Sequence, residues 1–202
     1  NVSGGSIGGL IGFCYHATVD HCSAAGSVTA SSSNVGGLIQ NNSGSTISNC
    51  YATGDVTAGG VNVGGLAGYD YNGVYSNCYA TGDVTASSNV GGLIGYCSAT
   101  VRNCHATGHV TASFFTGGLI GYGSVTASHC YATGDVNGNN NYAGGLAGML
   151  FSSSIASSYA TGRVMGLGNY AGGLMGYISG STVSDCFATG SAAGVQETGG
   201  LA

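Results

Sequence analysis

The sequence predicts an all-β fold, a parallel β-solenoid (β-helix) of seven coils with about three short strands in each coil of roughly 27 residues. Three observations predict it. A Gly-Gly-Leu triplet recurs along the chain, with its leucine at Leu10, Leu38, Leu66, Leu93, Leu119, Leu146, Leu174 and Leu201, at spacings of 28, 28, 27, 26, 27, 28 and 27. Between triplets sits a second signature, Cys50-Tyr51-Ala52-Thr53-Gly54, with variants at 78–82, 104–108, 130–134, 158–162 and 186–190. The 202 residues include 41 glycines, no proline and only 4% charged side chains, against about 25% in an ordinary soluble domain.

Each repeat contains three β-like runs, for example Val90–Tyr96, Val101–Ala106 and His109–Ala112, separated by glycine, serine and asparagine. No segment has a helical period of useful length. Three short strands cannot bury their apolar side alone, but stacked units can. The repeats fill residues 1–202 as a single domain and leave no linker. Continuous ladders explain the missing proline, which would delete an inter-coil bond. In-register stacking copies any charge every 4.8 Å or so, at about 1 kcal/mol per like-charged contact, which explains the charge depletion. Recurring tight corners explain the glycine.

The same composition excludes several roles. Arg102 and Arg163 are the only fixed cations in a chain of net charge -5, so no basic surface is available for nucleic acid. No run approaches the roughly 18 apolar residues of a membrane-inserted span. The glycines recur with the repeat instead of opening a helix, so they form no phosphate or cofactor loop, and no cofactor is expected. Seven acidic residues scatter over turns without pairing, which predicts a chain that is not an enzyme. No initiating Met or signal peptide is present, so a processed chain or an excised piece is expected.

Period-two alternation then assigns faces. In Cys50–Ala58 the Cys, Ala, Gly and Val residues fall on one side, taken as the interior. The other side carries an outer aromatic ladder of Tyr51, Tyr79, His105, Tyr131, Tyr159 and Phe187. Such a row could stack a glycan, or its rings could simply bind coil to coil. Beside it run threonine columns (Thr53, Thr81, Thr107 and onward; Thr29, Thr57, Thr85, Thr111), a hydroxyl lattice of the sort ice binding would use or ordinary strand surface.

With Leu93 inward, strict alternation turns its neighbours outward. This predicts an apolar assembly face of Val35, Ile39, Val63, Ala67, Val90, Ile94, Ile120, Ala147 and Met175, suited to a second copy or to neighbouring segments of a larger chain.

Six of the eight cysteines form a column (Cys22, Cys50, Cys78, Cys104, Cys130, Cys186) that reads as small buried apolar residues. Cys14 and Cys97 lie four residues past their leucines, which raises intracoil disulfides Cys14–Cys22 and Cys97–Cys104 and an oxidising compartment. His16 and His21 beside them match no zinc spacing, and the turn column Asp55, Asp83, His109, Asp135, Arg163 reads as solvated corners rather than a calcium site, so no metal is expected.

The run Gly-Gly-Leu-Ile-Gly-Tyr at 91–96, with variants at 64–69, 117–122 and 172–177, resembles the GLUG-motif repeats of large bacterial surface and secreted proteins. Coil 2 departs from the pattern, with Gln40 and Asn41 in place of the Gly and the aromatic residue. The resemblance implies adhesin-like or haemagglutinin-like exoproteins, an extracellular, cell-surface location, and no catalytic residues. The expected role is a structural or adhesive solenoid that forms or belongs to a fibre, since the chain starts inside a repeat and stops just after a triplet, leaving uncapped edges. The alternative is a binding module for glycan or ice; a polysaccharide-active enzyme is a distant third.

Overall fold

A computed structural model describes residues 1–200. The last repeat leucine, Leu201, lies outside the described residues. Among those residues no helix occurs, and the chain winds as a solenoid of about seven turns. One coil runs through Tyr51–Ala52 (sheet I), Val56–Ala58 (sheet II), Val61–Gly64 (sheet III) and Ala67–Ser76 (sheet IV). Stacked coil on coil these give sheets of seven, eight, seven and twelve strands. Sheet IV has the larger number because its strand is interrupted in most coils, as at Ile39–Ser43 and Thr46–Ser48. The three runs read from the sequence divide into four sheets because two of them contain a corner, at Gly92-Leu93 and at Asn103.

Every pairing is parallel, and the columns keep register apart from one bulge in sheet IV between Tyr71 and Val74. Val2, Val28, Val56, Val84, Val110, Val136 and Val164 stand one above another in sheet II. The corner from sheet IV to sheet I uses a left-handed residue at one fixed position, Asn49, Asn77, Asn103, His129, Ser157 and Asp185, with φ between 48 and 55°. Asparagine tolerates that region at little cost, which is why it leads the column. The next corner, after the Thr-Gly pair, repeats a different device. Asp55 Oδ1 accepts the Asp83 N–H (2.9 Å), Asp83 Oδ1 the His109 N–H (2.8 Å), His109 Nδ1 the Asp135 N–H (3.1 Å) and Asp135 Oδ1 the Arg163 N–H (2.8 Å). These residues are there as acceptors for the backbone of the following coil.

Two cores fill the cross-section. Sheets I and IV enclose the leucine, isoleucine, cysteine and alanine columns. Sheets II and III enclose a second core of valine and alanine, among them Val56, Val63, Val84 and Val90. The Gly-Gly-Leu triplet joins them. At Gly92 a Cβ would press on the Gly118 carbonyl oxygen and stand 2.9 Å from the Ala106 Cβ, so this glycine column and the sheet I alanine column pack against each other.

The apolar assembly face is corrected by this geometry. Val35, Ile39, Val63, Ala67, Val90 and Ile94 are fully buried, Ile120 and Ala147 nearly so, and half-buried Met175 packs on the first core. The reason lies at the triplet. Leu93 and Ile94 both donate their N–H to the Leu119 carbonyl, at 2.9 and 3.0 Å, so the chain bends between them instead of extending. Leu66 with Ala67 and Leu119 with Ile120 do the same. One extra residue in a period-two pattern inverts every face beyond it, so Ile94 joins Leu93 in the first core, while Val90, on the other side of the triplet, points into the second core.

Candidate functional site

The ladder on the outer face of sheet I forms as the alternation requires. Its ring centroids stand 4.8 Å apart for Tyr51–Tyr79, 5.1 Å for Tyr79–His105, 4.5 Å for His105–Tyr131, and 5.0 Å for both Tyr131–Tyr159 and Tyr159–Phe187. Interplanar angles stay between 2 and 8°. Rings stacked this way cover one another's faces and leave only edges to solvent. A sugar, which packs on a ring face, finds none along the ladder. Each stacked pair adds about 0.5–1.5 kcal/mol beyond its buried area, so the ladder serves to bind coil to coil. His105 fits the row because burial pushes its pKa below the ordinary 6.5. The two threonine columns lie on either side of the Gly-Asp corner, Thr53 after sheet I and Thr57 within sheet II, and so do not share one flat sheet.

All eight cysteines are free, so neither Cys14–Cys22 nor Cys97–Cys104 is bridged. Cys22 and Cys104 turn their thiols onto the Asp20 and Arg102 carbonyls, at 3.3 and 3.1 Å. The column has a hydrogen-bonding task beyond packing. Cys50 Sγ receives the Cys22 N–H and Cys104 Sγ the Cys78 N–H, each at 3.4 Å. Where the column changes to Ser158, its hydroxyl receives the Cys130 N–H at 3.1 Å and donates to the Ala156 carbonyl at 2.8 Å. Burial raises the Cys50 and Cys130 thiols to about 11, which keeps them protonated and unreactive.

The structure also places chemistry that alternation did not reveal. The position four residues before Leu38, Leu66, Leu93, Leu119, Leu146 and Leu174 is a left-handed corner, held by Asn34, Asn62 and Asn89 in early coils and by Phe115, Tyr142 and Tyr170 in later ones. The amides form a ladder, with Asn62 Nδ2 donating to Asn34 Oδ1 (2.8 Å) and Asn89 Nδ2 to Asn62 Oδ1 (2.7 Å). The rings that follow stack at 5.0 Å. Beside them runs the triplet's own aromatic column, including Tyr69, Tyr96, Tyr122 and Tyr177. Tyr122 meets Tyr96, Phe115 and Phe151 at 48–53°, stacked on none of them. The recurrence of aromatic residues at fixed offsets from the leucine was the available signal.

Four residues past the leucine, the inward column reads Cys14, Asn42, Asp70, Cys97, Gly123, Leu150. Asp70 is therefore a carboxyl inside the first core, fully buried. It accepts from Asn42 Nδ2 (2.7 Å), the Tyr75 hydroxyl (3.1 Å) and the Gly73 N–H (3.2 Å), and burial pushes its pKa up to about 6. No set of three or more metal-ligating side chains occurs among the described residues. His21 instead pairs through Nδ1 with Asp20 Oδ2 at 2.7 Å.

A family model described as the GLUG motif matches residues 31–57 and 86–111. These two stretches carry the GLUG motif. Each matched stretch spans one turn of the solenoid, from the corner before sheet III through sheets IV and I to the start of sheet II, so a GLUG repeat is one coil with both its cores. No curated protein and no solved structure matches the chain.

Proposed function

We propose that the chain is a non-catalytic structural module of an extracellular, cell-surface stalk or fibre, a stiff rod that carries adhesive surface. The observation that carries this reading is the column order, kept from coil to coil apart from the sheet IV bulge. Core, corner acceptors and ring ladder repeat from coil to coil, so each GLUG coil is stabilised by its neighbours and rod length scales with repeat number. At about 4.8 Å per coil the seven coils span roughly 34 Å. The resemblance to bacterial surface proteins supports the location, and the scarcity of charge fits a chain whose neighbours are further segments of the same assembly. With the predicted apolar face now in the core, end-on continuation of the coils is favoured over side-by-side packing.

Immunogold microscopy of native cells, with antibody raised against this chain, tests the reading. Gold on thin projections outside the envelope is the expected result. Gold confined to the cell interior would overturn it, and turnover of a polysaccharide by the purified chain would overturn its non-catalytic part.

A further inference from the structure

We propose that the corner between sheets III and IV, centred on Tyr122, Phe151 and Phe115, binds a neutral polysaccharide. The sheet I ladder cannot do so, because its rings cover one another. Tyr122 is different. Its centroid lies 5.1 Å from Phe115 and 5.5 Å from Phe151, at 53 and 48°, so no parallel ring covers its face, and all three side chains are partly exposed. Met149 rather than a ring follows Tyr122 in its column.

Two further observations point to a ligand. Phe115, Tyr142 and Tyr170 sit at φ 50, 68 and 64°. A bulky residue there costs roughly 1–2 kcal/mol, and the earlier coils avoid that cost with asparagine. Strain of this kind gathers where a surface has work to do. The second observation is charge. The columns continuing these rings hold Asn89 beside Phe115 and Met149 beside Tyr122, with Glu197 only beyond Tyr170 at the far end. The unstacked ring of Tyr122, with tyrosyl hydroxyls and amides without charge around it, matches the apolar faces and hydroxyl edges of an uncharged glycan. They offer nothing to an acidic one.

Affinity electrophoresis of the purified chain through gels holding hydroxyethylcellulose, xylan, soluble starch or polygalacturonate tests this. Retardation by at least one neutral polymer and none by polygalacturonate is expected. Binding should weaken about tenfold or more in Tyr122→Leu, which keeps apolar bulk but loses the flat ring, and in Phe151→Ala, while Tyr131→Ala on the ladder retains it. Circular dichroism confirms that each variant is folded. No retardation by any neutral polymer overturns the proposal, as does equal retardation of Tyr122→Leu and Phe151→Ala, or loss in Tyr131→Ala alone. A concentration-dependent dimer dissolved by Tyr122→Leu, without glycan retardation, assigns the surface to a second copy instead. Failure here leaves the stalk reading standing, since that rests on location and rod shape.

Discussion

Asp70 makes the stability of this solenoid depend on pH in an unusual direction. A carboxyl ordinarily near 3.8 is pushed to about 6 by burial, against the opposing pull of bonds from Asn42, Gly73 and Tyr75. The folded state therefore holds this proton more tightly than the unfolded state does. The resulting stability is fully present below about pH 3.8 and is lost as pH rises through about 6. A difference of about two units corresponds to about 3 kcal/mol. Asp70 is fully buried, so solvent does not screen that figure away. The groups facing it are Tyr75, whose hydroxyl burial also raises, and Cys97 one coil on in the same column. His105 works in the opposite sense: its depressed pKa removes stability as pH falls through about 6.5. Comparison of the chain with Asp70→Asn cancels that contribution. Urea denaturation of both at about pH 4 and about pH 7.5 should show Asp70→Asn gaining on the native sequence at the higher pH by about 3 kcal/mol. Equal pH dependence of the two proteins would refute the buried carboxylate account.

Three other outcomes follow from the columns. Cys104→Ala strands the buried Cys78 N–H and should cost about 1–3 kcal/mol, whereas Cys104→Ser, copying Ser158, should cost less in the same denaturation assay; equal losses would mean that the sulfur only fills space. Gly92→Ala drives a methyl onto the Gly118 carbonyl and the Ala106 Cβ, and thermal melts should report a loss of about 1–3 kcal/mol or more. Thiol titration in denaturant without reductant should count all eight cysteines; a count of six or four would restore one or both disulfides.

The solenoid was legible because its signal is redundant. Leucine, cysteine and valine columns each report the same period, and absent proline and charge report continuous ladders. What alternation missed lies at the triplet, where the chain passes between two cores. The rule holds within a strand and through the Gly-Asp corner, where Cys50, Ala52, Val56 and Ala58 are all inward. It fails at the triplet, because no residue type announces that Leu93 and Ile94 share one acceptor. Asp70 was legible in another way. It occupies the same offset from its leucine as Cys14 and Cys97, but comparing cysteines alone suggested disulfides, while comparing the column shows an interior position that twice became polar, at Asn42 and Asp70.

Substitution within a column follows the hydrogen bond that the column supplies. Aspartate gives way to His109 at the corner because the ring nitrogen still accepts the next N–H. Cysteine gives way to Ser158 because a hydroxyl both accepts and donates there. The left-handed column before the triplet breaks this rule, since Phe115 can take up no amide from Asn89. The exchange trades a neutral hydrogen bond of about 0.5–1.5 kcal/mol for ring stacking of similar size on top of the area the rings bury, with about 1–2 kcal/mol of backbone strain at each bulky residue. In a rod of otherwise similar coils, the ring-bearing corner is where the later coils depart from the hydrogen-bonded pattern of the earlier ones, and the proposed polysaccharide surface lies there.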